Sequence, residues 1–271
     1  MQGLGLRTAY ATLGVVDDAG RLVRRAGDGA RVPLDVAPGL GFLSALREAA
    51  PGVRVFPSIG GTLARDVRPA DPDQRAGIAR TVGSLVASGA QGVHLRVQGA
   101  TTQTPGFLAL VEHTRRAAGD GTVSVQAALP GTAGETIGGL VELCGAADEL
   151  VIPLHGTGAR SPLVYESQVA WATRRLARAL PPPESGGCMW SLEVPTVDRA
   201  TELHDPRIET LSLSVAGVRR GLGDDSVPVG FAGVVLQDAS ATSMREWGTF
   251  DAAWRGRPGT GVAVPGGPDG V

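Results

Sequence analysis

Short apolar runs alternate with longer amphipathic stretches along this chain, the pattern of βα units arranged around a parallel sheet. The runs predict strands over Arg7–Val16, Arg54–Gly60, Gly92–Gln98, Thr122–Leu129, Glu149–His155, Cys188–Val194 and Gly230–Gln237. Three intervening segments open with one device. Asp71-Pro72, Thr104-Pro105 and Ser161-Pro162 each set a capping side chain before a proline at the first helical position, where its missing N–H costs nothing. After Asp71, residues Ile78, Val82, Leu85 and Val86 recur at helical spacing and predict a face packed on the sheet. After Ser161, Leu163, Val169, Leu176 and Leu180 are predicted to do the same, with Trp171 beside them in the core. The stretch Ile208–Val215 suits a strand or a helix, and Leu211, Val215, Val218 and Leu222 on one face favour the helix. The fold class expected is α/β, a (β/α)8 TIM-type barrel that lacks or alters its first strand, since such a barrel typically takes about 250 residues. Residues 1–255 are assigned to that barrel domain, and 256–271, rich in Gly and Pro, to a disordered tail.

Composition narrows the possibilities. With 42% hydrophobic and 19% charged residues among 271, the chain can bury a sizeable core and is not an intrinsically disordered one. A net charge of −2 provides no basic field, so nucleic acid is not expected as a partner. No apolar run approaches the roughly 20 residues of a membrane span. Met1–Arg7 also lacks the parts of a secretory signal, so the sequence as given reads as soluble. All 25 basic residues are arginine, which matches GC-rich coding better than a dedicated anion site. The 2 cysteines, Cys144 and Cys188, exclude a disulfide scaffold and read as small buried hydrophobes.

The most informative strand is Gly92-Val93-His94-Leu95-Arg96-Val97-Gln98. Side chains alternate faces along a strand. Val93, Leu95 and Val97 therefore face the helices, while His94, Arg96 and Gln98 point into the barrel. Barrel interiors are normally filled by Val, Ile and Leu, so a guanidinium there needs a carboxylate partner. The same phase on the later strand turns Met189, Ser191 and Glu193 inward and Trp190 outward, which makes Glu193 the candidate partner of Arg96. Such a pair either fills space or marks a ligand site, and the residues alone leave both open.

Phe56-Pro57-Ser58-Ile59-Gly60-Gly61 resembles the SxGG strand of glycoside hydrolase family 18, the chitinase and endo-β-N-acetylglucosaminidase group. Ser88-Gly89-Ala90-Gln91-Gly92-Val93-His94-Leu95-Arg96-Val97-Gln98 resembles that family's GFDGxDxDxE strand. Thr8–Val16 with the turn after it resembles the second strand, and Ala128-Leu129-Pro130 the end of the fifth. The likeness spans most of Arg7–Trp247. It implies hydrolysis assisted by the substrate's own acetamido group, with the closing Glu of DxDxE as proton donor and the Asp two residues before it orienting that group. Here Gln98 stands at the donor position, Arg96 at the orienting position and His94 at the first Asp. A carboxamide has no proton to give, and a guanidinium opposes a transition state that is becoming cationic. The sixth-strand tyrosine of the family is replaced within Leu154-His155-Gly156-Thr157, and the eighth-strand tryptophan by Gln237.

These departures imply a degenerate member, kept as a carbohydrate-binding or scaffold module. Ser58, Arg96, Gln98, Gln126, His155, Glu193, Gln237 and Trp247 would line its mouth. The expected partner is a short N-acetylglucosamine-type glycan; no cofactor and no metal are expected, since the 4 histidines form no ligand cluster. Low aromatic content, 4%, argues against a long chitin groove. Two alternatives stay open: a glycosidase whose site has moved to Glu193 or Asp238 near the rim, and an interaction module with no small ligand. His113 reads as solvated, and His204 as a loop or helix-end residue. If the N-terminus is truncated, the family resemblance favours an exported or surface location; neither the location nor the oligomeric state is fixed by the residues.

Overall fold

A computed structural model describes residues 7–25, 30–34, 36–49, 51–196, 204–223, 227–237 and 242–255. The strands are β1 (Thr8–Thr12), β2 (Val15–Val16), β3 (Leu22–Arg25), β4 (Arg31–Pro33), β5 (Arg54–Thr62), β6 (Gly92–Gln98), β7 (Thr122–Gln126), β8 (Glu149–Pro153), β9 (Met189–Val194) and β10 (Phe231–Leu236). The helices are α1 (Val36–Ala49), α2 (Pro72–Ala87), α3 (Phe107–Ala118), α4 (Ile137–Ala146), α5 (Pro162–Ala179), α6 (Leu211–Leu222) and α7 (Met244–Arg255). Seven strands pair in parallel in the order β1-β5-β6-β7-β8-β9-β10, which is chain order. Each βα unit therefore delivers its strand to the next position in a curled sheet. Among the described residues no pairing joins β10 back to β1, so the barrel is not closed. The assigned tail, 256–271, and Asp238 lie outside the described residues.

Every predicted strand has a counterpart, and Gly92–Gln98 has its predicted bounds. The first is the exception in form. Arg7–Val16 does not run as one strand, because β1 ends at Thr12 and β2 belongs to a separate antiparallel sheet, β2-β3-β4. Asp17 closes the β2–β3 turn by accepting from the backbone N–H groups of Ala19 and Arg21, both at 2.9 Å. The ambiguous stretch is a helix, α6, whose N-cap Thr210 accepts from the Leu213 N–H.

Two of the three proline devices act as predicted. Asp71 accepts from the N–H groups of Asp73 and Gln74, and Ser161 from that of Val164. Thr104 does not cap α3. Its hydroxyl accepts from the Thr101 N–H at 3.0 Å in the preceding turn, and Gly106, with φ of 77°, takes the N-cap position. Ile78, Val82 and Leu85 are buried in one apolar layer with Val93, Leu95 and Val97, as the two periodicities require. On α5 the buried stripe is Tyr165, Val169, Ala172 and Leu176. Leu163 is 70% exposed and Trp171 48% exposed, against expectation. At about 100° per residue, Leu163 precedes Tyr165 by about 200°, and Trp171 follows Val169 by the same angle. Both therefore sit on the solvent side.

The cysteines also depart from expectation. Cys144 at the end of α4 and Cys188 just before β9 are buried, but as a disulfide across 44 residues.

Candidate functional site

Parallel pairing sets neighbouring strands in register, so inward side chains stack in layers. In the lowest layer Ser58 pairs with His94, and His94 with Ser124. His94 Nδ1 lies 3.0 Å from Ser124 Oγ, and the Tyr10 ring rests 4.3 Å from the imidazole. The Tyr10 hydroxyl donates to Glu149 at 3.5 Å, and Glu149 forms an ion pair with Arg54 at 2.5 Å. Burial and the Arg96 charge hold the His94 imidazole down at about 3, and burial raises the Tyr10 phenol. This floor is a satisfied polar cluster, neutral at His94 and paired at Glu149.

One layer higher, Arg96 lies beside Gly60 on β5. Gly60 has φ of 143°, and a Cβ there would stand 2.0 Å from the Arg96 carbonyl oxygen, so only glycine allows this approach. Arg96 does not reach Glu193 directly: among the described residues no ion pair joins them. Arg96 Nε donates to Gln126 Oε1 at 3.1 Å, and Gln126 Nε2 donates to Glu193 Oε2 at 2.8 Å. A carboxamide bridges the two because it carries an acceptor at one end and a donor at the other. Burial pushes the Glu193 carboxyl up, against the opposing pull of Arg96 and Gln126.

His155 Nε2 stands 4.0 Å from Glu193 Oε1, too far for a hydrogen bond. Its imidazole is held down at about 4, by burial first and then by His204, so the two form no ion pair near neutral pH. His155 Nε2 and Gln237 Oε1 are both buried without a hydrogen-bond partner. Gln98, at the end of β6 beside Thr62, is exposed. Structure thus brings Arg96, Gln126, Glu193 and His155 together, with Gln237 just past β10 and next to the end of β9 through its N–H to the Val194 carbonyl. Ser58 is in the buried floor. Trp247 is in the first turn of α7, its ring 6.5 Å from Phe250.

Two rim residues escaped the sequence reading. Glu209 accepts from the N–H groups of Gly156 and Thr157 at 2.8 and 2.7 Å, from the Thr157 hydroxyl at 2.5 Å, and from His204 Nδ1 in a close contact. His204 is thus a buried clamp residue. Its ring meets His155 edge-on at 6.2 Å. Glu135 plays the same part for the loop after β6, accepting from the N–H and hydroxyl of Thr102 at 2.8 and 2.5 Å. The available signal was a repeated Glu-Thr step ahead of an apolar helix, at Glu135-Thr136 and Glu209-Thr210. Among the described residues no group of His, Cys, Asp or Glu could hold a metal ion, and no helix is long and apolar enough to cross a membrane.

Neither a protein-family model nor a curated protein sequence matches the chain. Solved structures do. A class V chitinase from Pseudomonas fluorescens superposes with a TM-score of 0.59 at 12% identity, covering 92% of this chain and 99% of its own. A chitinase-like lectin from tamarind gives 0.51 at 13%, covering 90% and 88%. A protein from Bacteroides thetaiotaomicron assigned as an α-L-fucosidase gives 0.55 at 9%, covering 94% and 83%. At these identities the likeness shows the fold: a TIM-type, chitinase-like α/β architecture.

Proposed function

We propose that this protein is a carbohydrate-binding barrel that has lost family-18 hydrolysis. What supports the reading is the sequence of β6, in which Arg96 falls where the family resemblance puts the orienting carboxylate and Gln98 where it puts the proton donor. Arg96 carries a positive charge, so it cannot stand in for a carboxylate, and its Nε is joined through Gln126 to Glu193. A solved lectin of chitinase-like fold supports the same reading from a different direction. The ligand is a short glycan bound at the mouth by Arg96, Gln98, Gln126, His155, Glu193 and Gln237, with Ser58 shaping the floor and Trp247 at the rim. The disulfide fits an exported or surface setting, because such bonds persist in oxidising compartments.

A second reading has one observation of its own. Glu193 is buried with its carboxyl pushed up, and a carboxylic acid that keeps its proton is what a glycosidase requires as general acid. One experiment separates the two. Glycan binding by titration calorimetry, with no turnover of an aryl N-acetylglucosaminide above buffer, is the outcome expected. Turnover that disappears in Glu193→Gln establishes the relocated enzyme instead, and neither binding nor turnover leaves the interaction module.

A further inference from the structure

The guanidinium of Arg96 is held at one nitrogen only. Nε donates to Gln126 Oε1, and Gln126 is itself fixed by its bond to Glu193, so the plane of the guanidinium is set before any ligand arrives. The two terminal nitrogens donate to no described residue, and no described carboxylate lies within 4.0 Å of them. On the β5 side the register neighbour is Gly60, which places no side chain against the fork. A half-buried guanidinium with no carboxylate in direct contact gains from an incoming anion. The planar fork matches a carboxylate, accepting it through two parallel bonds.

The surroundings favour a sugar acid over a bare anion. Glu193 is separated from Arg96 by Gln126, and burial pushes its carboxyl up. His155 is neutral and has its Nε2 buried without a partner, as is Gln237 Oε1. An acceptor left bare in a buried position calls for a donor, and sugar hydroxyls supply donors.

We propose that the mouth is specific for acidic carbohydrate, a glycan whose uronic-acid carboxylate docks on the terminal nitrogens of Arg96 while its hydroxyls satisfy Gln237 and His155. This rests on the carbohydrate-binding reading and adds the ligand's charge to it.

Titration calorimetry on the full chain tests it, with hyaluronan tetrasaccharide and tetragalacturonate as acidic probes and chitotetraose and cellotetraose as neutral ones. At least one acidic probe is expected to bind tenfold or more tighter than either neutral one, and to weaken as NaCl is raised, as an ionic contact must. Arg96→Gln should weaken the acidic probe about 10- to 100-fold, the loss typical of a charge-assisted pair, and weaken the neutral probes by clearly less. Arg96→Lys should retain charge but not the fork, and fall between. A melting curve of each variant checks folding; should Arg96→Gln not fold, the comparison of probes and Arg96→Lys decides. Neutral probes binding as tightly as acidic ones would overturn the inference and leave the carbohydrate reading intact. No binding by any of the four sinks both. Displacement of the acidic probe by sodium acetate at equal concentration also overturns it, because the site then reads a carboxylate without its sugar.

Discussion

At the barrel floor, His94 faces Ser124 Oγ at 3.0 Å with the Tyr10 ring against it, and its imidazole is held down at about 3. An unfolded histidine takes up its proton near 6.5. His94 therefore contributes stability that is complete above about 6.5 and is lost as pH falls toward 3. His155, held at about 4, acts with the same sign between 6.5 and 4. Glu193 acts oppositely: its carboxyl is raised, so its contribution is complete below the ordinary value of 4.5 and fades as pH rises through the raised one. Melting temperature is expected to drop between pH 6.5 and 4, and His94→Gln to flatten that drop. Glu193→Gln should show the reverse, gaining on the parent at pH 8 relative to pH 5. Identical slopes in parent and variants would contradict the assignment. Gly60 offers a test of close approach. Gly60→Ala forces a Cβ to within 2.0 Å of the Arg96 carbonyl oxygen at a φ that L residues avoid, and should cost about 3 kcal/mol or more in denaturant unfolding.

Two rim loops are held by buried carboxylates, Glu135 on the loop after β6 and Glu209 on the loop after β8. Glu209, one residue before the N-cap of α6, holds the Gly156–Thr157 backbone that follows β8. A carboxylate accepts several bonds at once, whereas a carboxamide accepts with one oxygen only. Glu209→Gln should therefore speed amide hydrogen exchange at Gly156 and Thr157 while leaving β6 and β7 protected. Because His155 lies in the same loop, glycan affinity should fall with it. Uniform loss of protection across the sheet would show instead that Glu209 supports the whole fold. On α5, helical geometry explains the exposed apolar side. Leu163, Val164 and Trp171 lie opposite the stripe that packs inward, and the Trp171 indole carries the Arg175 guanidinium at 5.7 Å from its centre. That contact keeps part of the ring covered on an otherwise wet surface.

For the whole molecule, the Cys144–Cys188 bond ties the end of α4 to the start of β9, across the β8 unit. Closing a loop of that length restricts the unfolded chain by an amount worth about 4 kcal/mol in the chain-entropy account. Denaturing the protein without reductant should release no titratable thiol. Adding reductant during unfolding should lower the denaturant midpoint, and Cys144→Ala with Cys188→Ala should reproduce that loss. Free thiols in the unreduced protein would remove the disulfide and the oxidising setting inferred from it.

The sequence by itself determined where the strands after the first lie and the phase of β6 as far as Val97, because alternation and helical spacing are local properties written in neighbouring residues; it did not reveal the break after Thr12 or the exposure of Gln98. Val93, Leu95 and Val97 against the helices, with His94 and Arg96 inside, follow from period two alone. Only tertiary structure decided what those inward groups meet. Gln126 stands between Arg96 and Glu193 because folding brings strands from distant parts of the chain into one sheet, and no local pattern encodes that juxtaposition. The disulfide and the hold of Glu209 on the loop after β8 are of the same kind. Each depends on a contact 44 to 53 residues away in the chain, and those distances close only when the βα units pack side by side.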